Sequence, residues 1–135
     1  MSNSQTNSGN STKKVPNSEY EAVITAANCY VDAMRLASPE RARDHFHPEG
    51  SIYGYVQGEF KGGSISNFFD YLEKQPKGTE LQAHMDVIAL TPSTAIVKAE
   101  VEMAPPETDY SDFLAMVKVD GKWMIVAKIF HSYDT

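Results

Sequence analysis

The apolar residues of this chain change their spacing near its middle, from intervals of three and four positions to strict alternation. Between Tyr20 and Met34 the interval is that of one face of an α-helix. Ser18 and Glu21 have the spacing of a capping box, which satisfies free amide groups at a helix start. The pattern therefore predicts a first helix from Ser18 to about Ala37.

Two shorter helices are predicted next. Ser38 is a favourable cap and Pro39 suits the first helical position, so a second helix begins there and ends before Pro48. Ser64 is predicted to cap a third, amphipathic helix. The glycine-rich segment before it, Gln57 to Gly63, is predicted to be a loop.

Five segments have the alternating or continuous apolar pattern of β-strands. They span residues 51–56, 80–89, 94–103, 110–119 and 122–133. Asp120 and Gly121 join the last two segments in a tight hairpin, because both central positions of that turn need positive φ. Helices followed by antiparallel strands predict an α+β fold.

The last predicted strand is apolar on both faces. By strict alternation, His131 shares one face with Ile125 and Ile129, and Phe130 belongs to the other. Such a strand is covered on both sides, either by helices and a partner subunit or by a curled sheet.

The composition limits the class of protein and its partners. The 135 residues, 41% of them hydrophobic, suit one globular domain over residues 18–135, preceded by a polar tail, Met1 to Asn17, that we expect to be disordered. A net charge of −6 disfavours nucleic acid and anionic membranes as partners. Without an apolar membrane span or signal peptide, and with the single Cys29, we expect a soluble, cytoplasmic protein.

The order of elements, the junction Phe46-His47-Pro48-Glu49-Gly50 and the closing segment from Trp123 to His131 resemble the nuclear transport factor 2-like (NTF2-like) superfamily. The closing segment is similar to the subgroup described as putative lumazine-binding, or SnoaL-like. The resemblance implies a cone, with three helices from the N-terminal half packed on a strongly bent, mainly antiparallel sheet. It also implies a homodimer through the outer sheet face and an apolar cavity at the wide end.

That superfamily includes steroid isomerases, dehydratases, epoxide hydrolases, polyketide cyclases and proteins that only bind or dimerise, so the fold does not decide activity. Isomerases that resemble this chain carry a carboxylate base on the strand corresponding to Ser51 to Val56, where this sequence has none. The epoxide hydrolases use an arginine in the cavity, but all three arginines here precede the predicted sheet. Both classes are therefore disfavoured.

His47, at the junction, and His131 are the candidate catalytic residues, because imidazole titrates near neutral pH. Tyr53 and Tyr55 are candidate donors to an oxyanion. The alternative for His47 is a hydrogen bond that orders the backbone, and for His131 a solvated strand end. The candidate ligand-binding residues, whose alternative is ordinary core, are Tyr30, Met34, Phe46, Tyr53, Tyr55, Phe69, Met103 and Met116.

His84 and Asp86 share one face of a strand, either as a base with its orienting carboxylate or as a solvated surface. The four histidines lack the spacing of a metal motif, so we expect no metal and no cofactor. The leading hypothesis is a homodimer that binds a small, mostly apolar or aromatic molecule. The alternatives are a cofactor-independent isomerase, dehydratase or cyclase, and a purely structural dimerisation module with a filled cone.

Overall fold

Three α-helices pack against a six-stranded sheet in the computed structural model of the chain, which describes residues 15–77, 80–104 and 107–134. The helices are α1 (Asn17–Leu36), α2 (Pro39–Arg43) and α3 (Ser66–Glu73). Most of the predicted N-terminal tail, residues 1–14, lies outside the described residues. The α+β fold predicted from the sequence is confirmed.

The sheet contains β1 (Phe46–Val56), β2 (Glu59–Ser64), β3 (Leu81–Leu90), β4 (Thr94–Met103), β5 (Tyr110–Val119) and β6 (Lys122–Ser132). Their order across the sheet is β2-β1-β6-β5-β4-β3. Only the central β1–β6 pair is parallel among the pairings of the described strands. Both β1 and β6 have hydrogen-bonded neighbours on each side, so side chains on their inner faces are held on the middle of the sheet.

Two predicted caps differ from the structure. Ser64 ends β2 and Ile65 precedes α3, although the Ser64 hydroxyl accepts a hydrogen bond from the Ser66 backbone N–H at 3.2 Å. The residue that precedes α1 is Pro16, and Ser18 lies inside the helix without the expected capping hydrogen bond. The predicted cap of α2 is confirmed, because the Ser38 side chain accepts a hydrogen bond from the Arg41 backbone N–H at 3.1 Å.

The segment predicted as a glycine-rich loop is a β-hairpin. Gln57 and Gly58 have φ values of 52° and 77°, which a two-residue turn of this kind requires, and β2 follows at once. Strand β1 also begins earlier than predicted, at Phe46. Between Phe46 and Ser51 its pairing with β6 shifts, so the junction segment is bulged.

Strand β6 contains a bulge that decides which side chains face the helices. Met116 of β5 pairs with Ile125, whereas the preceding Ala115 pairs with Ala127. Val126 is therefore an extra residue without a partner on β5, the arrangement of a β-bulge. Beyond the bulge, the positions of β6 that strict alternation assigns to the outer face therefore lie on the inner face, and the reverse.

The change of alternation corrects the orientation predicted for His131. Before the bulge, Ile125 is fully buried; after it, Lys128 and Ser132 are the buried residues. Ile129 and His131, predicted to share the face of Ile125, are instead exposed. A charged lysine thus takes an inner position that strict alternation assigned to the opposite face.

The core lies between α1, α3 and the inner face of the sheet. The rings of Tyr30, Phe46 and Phe68 pack with centroid separations of 5.3 to 6.3 Å, and Phe69 contacts Phe46 edge to face. Gly54 of β1 makes room for the neighbouring strand, since a Cβ there would lie 2.2 Å from the Phe130 carbonyl oxygen. A side chain larger than hydrogen would therefore force β1 and β6 apart at this position.

Candidate functional site

A cavity of about 400 Å³ lies between α1, α3 and the inner faces of β1, β2, β5 and β6. Its volume is in the range of small-molecule sites. The apolar part of its lining is Met34, Ile52, Val56, Phe68 and Phe130. The polar part is Tyr30, Lys61, Asn67, Tyr71, Tyr110 and Lys128.

A buried acid, Asp112, contacts two residues of the cavity lining, Lys128 and Tyr30. Asp112 of β5 pairs with Phe130 of β6, which places Lys128 diagonally beside it on the same face. The Lys128 Nζ is 3.9 Å from Asp112 Oδ1, a charge contact that is longer than a hydrogen bond. The Tyr30 hydroxyl donates a short hydrogen bond to Asp112 Oδ2.

Both charged side chains are almost completely buried. Asp112 is 0% exposed and Lys128 is 5% exposed. Asp112 Oδ1 is a buried oxygen without a hydrogen-bond partner among the described residues. A buried acceptor in that condition costs free energy, which a packed apolar pair would not.

Burial shifts the pKa values of the two charged groups in opposite directions. It raises the pKa of Asp112 above its ordinary value, while the Lys128 ammonium and the Tyr30 hydroxyl act against that rise. Burial likewise lowers the pKa of Lys128, and the Asp112 carboxylate opposes the change. Desolvation thus moves both groups towards their neutral forms.

Three tyrosine hydroxyls surround the charged pair and the cavity. Burial raises the pKa of Tyr30, and the adjacent Asp112 raises it further. Burial also raises the pKa of Tyr71 and of Tyr110, both of which line the cavity. All three stay protonated at neutral pH, so Tyr71 and Tyr110 can donate hydrogen bonds to a bound oxygen.

The residues predicted as a binding site separate into three groups in the structure. Tyr30 and Met34 line the cavity. Phe46, Phe69, Met103 and Met116 are buried in the core, which was the alternative stated for them. Tyr53 and Tyr55 lie outside the cavity, with 42% and 51% of their surface exposed.

The alternation of β1 explains the position of the two tyrosines. Ile52 and Val56 line the cavity, so Tyr53 and Tyr55 point to the opposite, outer face of the sheet. The expectation that they face the same cavity as the candidate catalytic histidines is therefore wrong. On the outer face they surround Phe60, with ring centroids 5.8 Å away in both cases.

None of the four histidines lines the cavity. His47 lies in the bulged junction, where its Nδ1 accepts a hydrogen bond from the Glu49 backbone N–H at 3.1 Å. That contact corresponds to the backbone-ordering alternative. His131 lies on the outer face against the Tyr133 ring, 4.7 Å away.

His84 Nε2 and Asp86 Oδ2 are 3.2 Å apart on β3, but both side chains are more than half exposed. They occupy the solvated strand surface that was the alternative to a catalytic pair. No three His, Cys, Asp or Glu side chains of the described residues come together as potential metal ligands. The described helices include none long and apolar enough to span a membrane.

Asp112 and Lys128 were not among the residues predicted from the sequence. Alternation within β5 alone places Asp112 on the buried side with Leu114 and Met116, which is an available signal. Lys128 is harder to find, because the bulge at Val126 changes its orientation. The local signal was a single lysine inside a strand that is otherwise apolar on both faces.

The family model described as "Putative lumazine-binding" matches residues 18–131. The chain belongs to the putative lumazine-binding family. This match agrees with the NTF2-like superfamily inferred from the order of elements, and the solved structures of similar fold agree as well.

One curated relative of this putative lumazine-binding family member is "Aldolase FrzH" from Cladobotryum sp.. It is 67% identical over 121 residues, which cover 90% of this chain and 97% of the relative. The two chains therefore share almost their whole length.

Solved structures show the same fold at much lower identity. An NTF2-like protein of unknown function from Shewanella baltica OS155 superposes with a TM-score of 0.81 at 24% identity, covering 90% of this chain and 99% of that one. A ketosteroid isomerase-like protein from Erwinia carotovora atroseptica gives 0.70 at 14% identity, covering 88% and 99%. These likenesses establish the fold of this family member.

Proposed function

We propose that this protein catalyses an aldol-type reaction, forming or breaking a carbon–carbon bond next to a carbonyl group, on a small and largely apolar substrate bound in the cavity. The observation that carries the proposal is the buried Tyr30–Asp112–Lys128 group at an apolar cavity. The 67% identity with a protein named as an aldolase selects the reaction class.

An aldol reaction requires a base for the carbon beside the donor carbonyl and hydrogen-bond donors for the oxygen that becomes negative. The Asp112 carboxylate supplies a base whose Oδ1 has no hydrogen-bond partner in the described structure. Tyr71 and Tyr110 supply hydroxyl donors, and Lys128 supplies an amine or a positive charge. The cavity lining therefore supplies the donors and the amine, and Asp112 contacts that lining through Tyr30 and Lys128.

The proposal retains one part of the sequence-based hypothesis and replaces another. The apolar lining fits the small, mostly apolar or aromatic ligand expected from the sequence. The general acid and base are assigned to Asp112 and Lys128, instead of His47 and His131. The oxyanion donors are assigned to Tyr71 and Tyr110 in place of the two tyrosines of β1.

We also propose a homodimer formed through the outer sheet face, with this chain as its own partner. Exposed aromatic and aliphatic side chains cluster there, among them Tyr55, Phe60, Phe113 and Ile129. An apolar patch of this kind on a sheet face favours association with another surface. Residues of the cavity and of this patch are on opposite faces of the same strands, so dimerisation leaves the cavity lining unchanged.

The function is tested by incubating the protein with cyclohexanone and a panel of aryl and alkyl aldehydes sized for the cavity, in the forward and reverse directions. Chiral chromatography of the β-hydroxyketone separates enzymatic product from the racemic background reaction. We expect an excess of one stereoisomer, and a rate reduced about 100-fold or more in Asp112→Asn. Asp86→Asn, an exposed carboxylate on β3, is the matched control and should retain the wild-type rate.

Circular dichroism of each variant shows whether the fold is intact. Racemic product across the whole panel, or a folded Asp112→Asn variant with the wild-type rate, would contradict the proposal.

A further inference from the structure

We propose that Lys128 is a covalent catalyst, whose Nζ forms an imine with the carbonyl carbon of an uncharged ketone or aldehyde donor. This inference rests on the proposed aldol function and extends it by naming the nucleophile and the class of donor substrate. The geometry that carries it is a buried lysine that lines the cavity, beside a carboxylate oxygen with no hydrogen-bond partner among the described residues.

The position of Lys128 suits a nucleophile. It extends from β6, which is flanked by β1 and β5, so its backbone is held on both sides. The bulge at Val126 turns it to the inner face, where its side chain lines the cavity. A group held on a central strand is positioned more narrowly than one on a loop.

Imine formation needs the neutral amine, because only its nitrogen lone pair can attack a carbonyl carbon. Asp112 Oδ1, at 3.9 Å, is the acceptor that can take the extra proton of the ammonium. That transfer converts an ion pair into a neutral amine and a neutral acid, with no change in net charge. Burial lowers the free-energy cost of this transfer, in agreement with the directions in which the pKa values of Lys128 and Asp112 move.

Three aromatic rings surround the reactive nitrogen. Nζ lies 5.0 Å from the ring centre of Tyr30, 5.1 Å from that of Phe68 and 4.6 Å from that of Phe130. Ring faces at such distances attract a cation, and a protonated imine keeps its positive charge on this nitrogen. These rings offer no partner for an anionic group next to the reacting carbonyl. The donor is therefore expected to be uncharged and apolar on both sides of its carbonyl.

The proposed sequence of steps is balanced with water as the co-reactant. The amine adds to the donor carbonyl carbon, and a proton passes from nitrogen to oxygen to give a carbinolamine. Protonation of its hydroxyl by Asp112 releases water and leaves the positively charged imine. The adjacent carbon then gives a proton to the hydroxyl oxygen of Tyr30, which lines the cavity, while the Tyr30 proton passes to the Asp112 carboxylate; the electron pair of the C–H bond forms the enamine.

The enamine carbon then attacks the carbonyl carbon of the acceptor aldehyde, forming the new carbon–carbon bond. The acceptor oxygen takes the proton held by Asp112, and its position is fixed by donors such as Tyr71 or Tyr110. Addition of water to the imine carbon and loss of the amine return Lys128 and release the β-hydroxyketone. Electrons are redistributed only between these bonds, so no oxidant or reductant is needed.

The cavity contains a second lysine that serves as an internal comparison. Lys61 of β2 also lines the cavity, but its side chain is 58% exposed and forms an ion pair with Glu59 at 3.3 Å. Solvent and Glu59 both stabilise its ammonium form. Selective modification of Lys128 over Lys61 is therefore the signature that distinguishes an activated amine from a merely accessible one.

The test treats the full-length protein with cyclohexanone and sodium borohydride, which reduces an imine to a stable secondary amine, and maps the modified peptides by mass spectrometry. We expect modification at Lys128 to exceed that at Lys61 by at least about tenfold, since the charged ammonium is unreactive. Lys128→Arg should abolish the adduct in the peptide that contains position 128. Lys98→Arg, at a lysine of β4 that lies outside the cavity, should leave both the modification of Lys128 and the aldol turnover nearly unchanged.

Wild-type protein carries the decisive measurement, so the test remains valid if Lys128→Arg does not fold. Modification of Lys61 without modification of Lys128 would overturn the inference. Stereoselective aldol turnover without any adduct at Lys128 would also overturn it, while the proposed function would stand. An adduct at Lys128 without aldol turnover would support imine formation and count against the proposed reaction.

Discussion

The buried pair of Asp112 and Lys128 makes a quantitative prediction about stability. Replacing Lys128 with methionine keeps most of the side-chain volume but removes the positive charge beside a carboxylate that is 0% exposed. At the observed separation of 3.9 Å, and with an effective dielectric constant of about 20, the lost attraction is about 4 kcal/mol. Protonation of Asp112 limits the loss, so we expect a destabilisation of about 3 kcal/mol at neutral pH.

A double-mutant cycle isolates the pair from the effects of each substitution. Asp112→Asn retains an oxygen that accepts the Tyr30 hydrogen bond, so the double variant with Lys128→Met has neither buried charge. We expect the double variant to be more stable than the sum of the two single effects predicts, by roughly 3 kcal/mol. Urea unfolding followed by circular dichroism at one fixed protein concentration measures all four proteins.

Exposed Lys98 and Glu100, whose charged groups are 3.2 Å apart on β4, provide the control cycle. Their coupling should be below about 1 kcal/mol, because solvent screens exposed charges. A buried coupling no larger than this exposed one would refute the argument that burial makes the pair strong.

The pH dependence of the free energy of unfolding of the same variants tests the sign of the Asp112–Lys128 interaction. Burial raises the pKa of Asp112 above its ordinary 3.8, so the folded state holds that proton more tightly than the unfolded state. Removing Lys128 also removes the charge that opposed the rise. The free energy of unfolding that Lys128→Met loses relative to wild type should therefore be smallest in acid. It should grow as pH rises through the folded-state pKa of Asp112.

Three further predictions concern the hydroxyl, the dimer and the central strands. Tyr30→Phe should lower the free energy of unfolding by about 1.5–3 kcal/mol, since it deprives Asp112 of its donor, whereas the exposed Tyr20→Phe in the same helix should have almost no effect in the same urea assay. Light scattering should show that Ile129→Lys converts the proposed dimer into a monomer, whereas Leu36→Lys, at a residue of similar exposure at the end of α1, remains dimeric. An Ile129→Lys variant that is still a dimer would contradict an interface on the outer face. Gly54→Ala should cost about 1–3 kcal/mol in urea, because its Cβ would meet the Phe130 carbonyl oxygen at 2.2 Å, and an unchanged midpoint would show that β1 and β6 can separate there.

The elements of the fold follow from local patterns in the sequence. The apolar interval of α1, the Ser38 cap and the Asp120–Gly121 turn each act within a few residues, so they can be identified without knowing the sheet order. The positive φ values of Asp120 and Gly121 confirm that turn. The hairpin at Gln57 was missed because glycine-rich segments occur in loops and in tight turns alike.

The site is less predictable because it depends on pairing between distant strands. The bulge at Val126 arises where β6 pairs with β5, so it is invisible in the pattern of β6 alone. One extra residue exchanges the faces of Lys128 and Ile129. Strict alternation therefore assigned His131 to the face of Ile125 and assigned Lys128 to the opposite face.

The position of the carboxylate changes which chemistry the cone can support. The sequence argument against an isomerase was the absence of a carboxylate on the strand corresponding to Ser51–Val56, and that strand contributes only Ile52 and Val56 to the cavity. Asp112 of β5, on the other side of β6, is buried in contact with Tyr30 and Lys128, which line the same cavity. A base beside a lysine differs from a base alone, because the amine can carry the substrate covalently while the carboxylate moves its proton. In the mechanism that we propose, the pair and not the fold distinguishes an aldol reaction from a simple proton transfer.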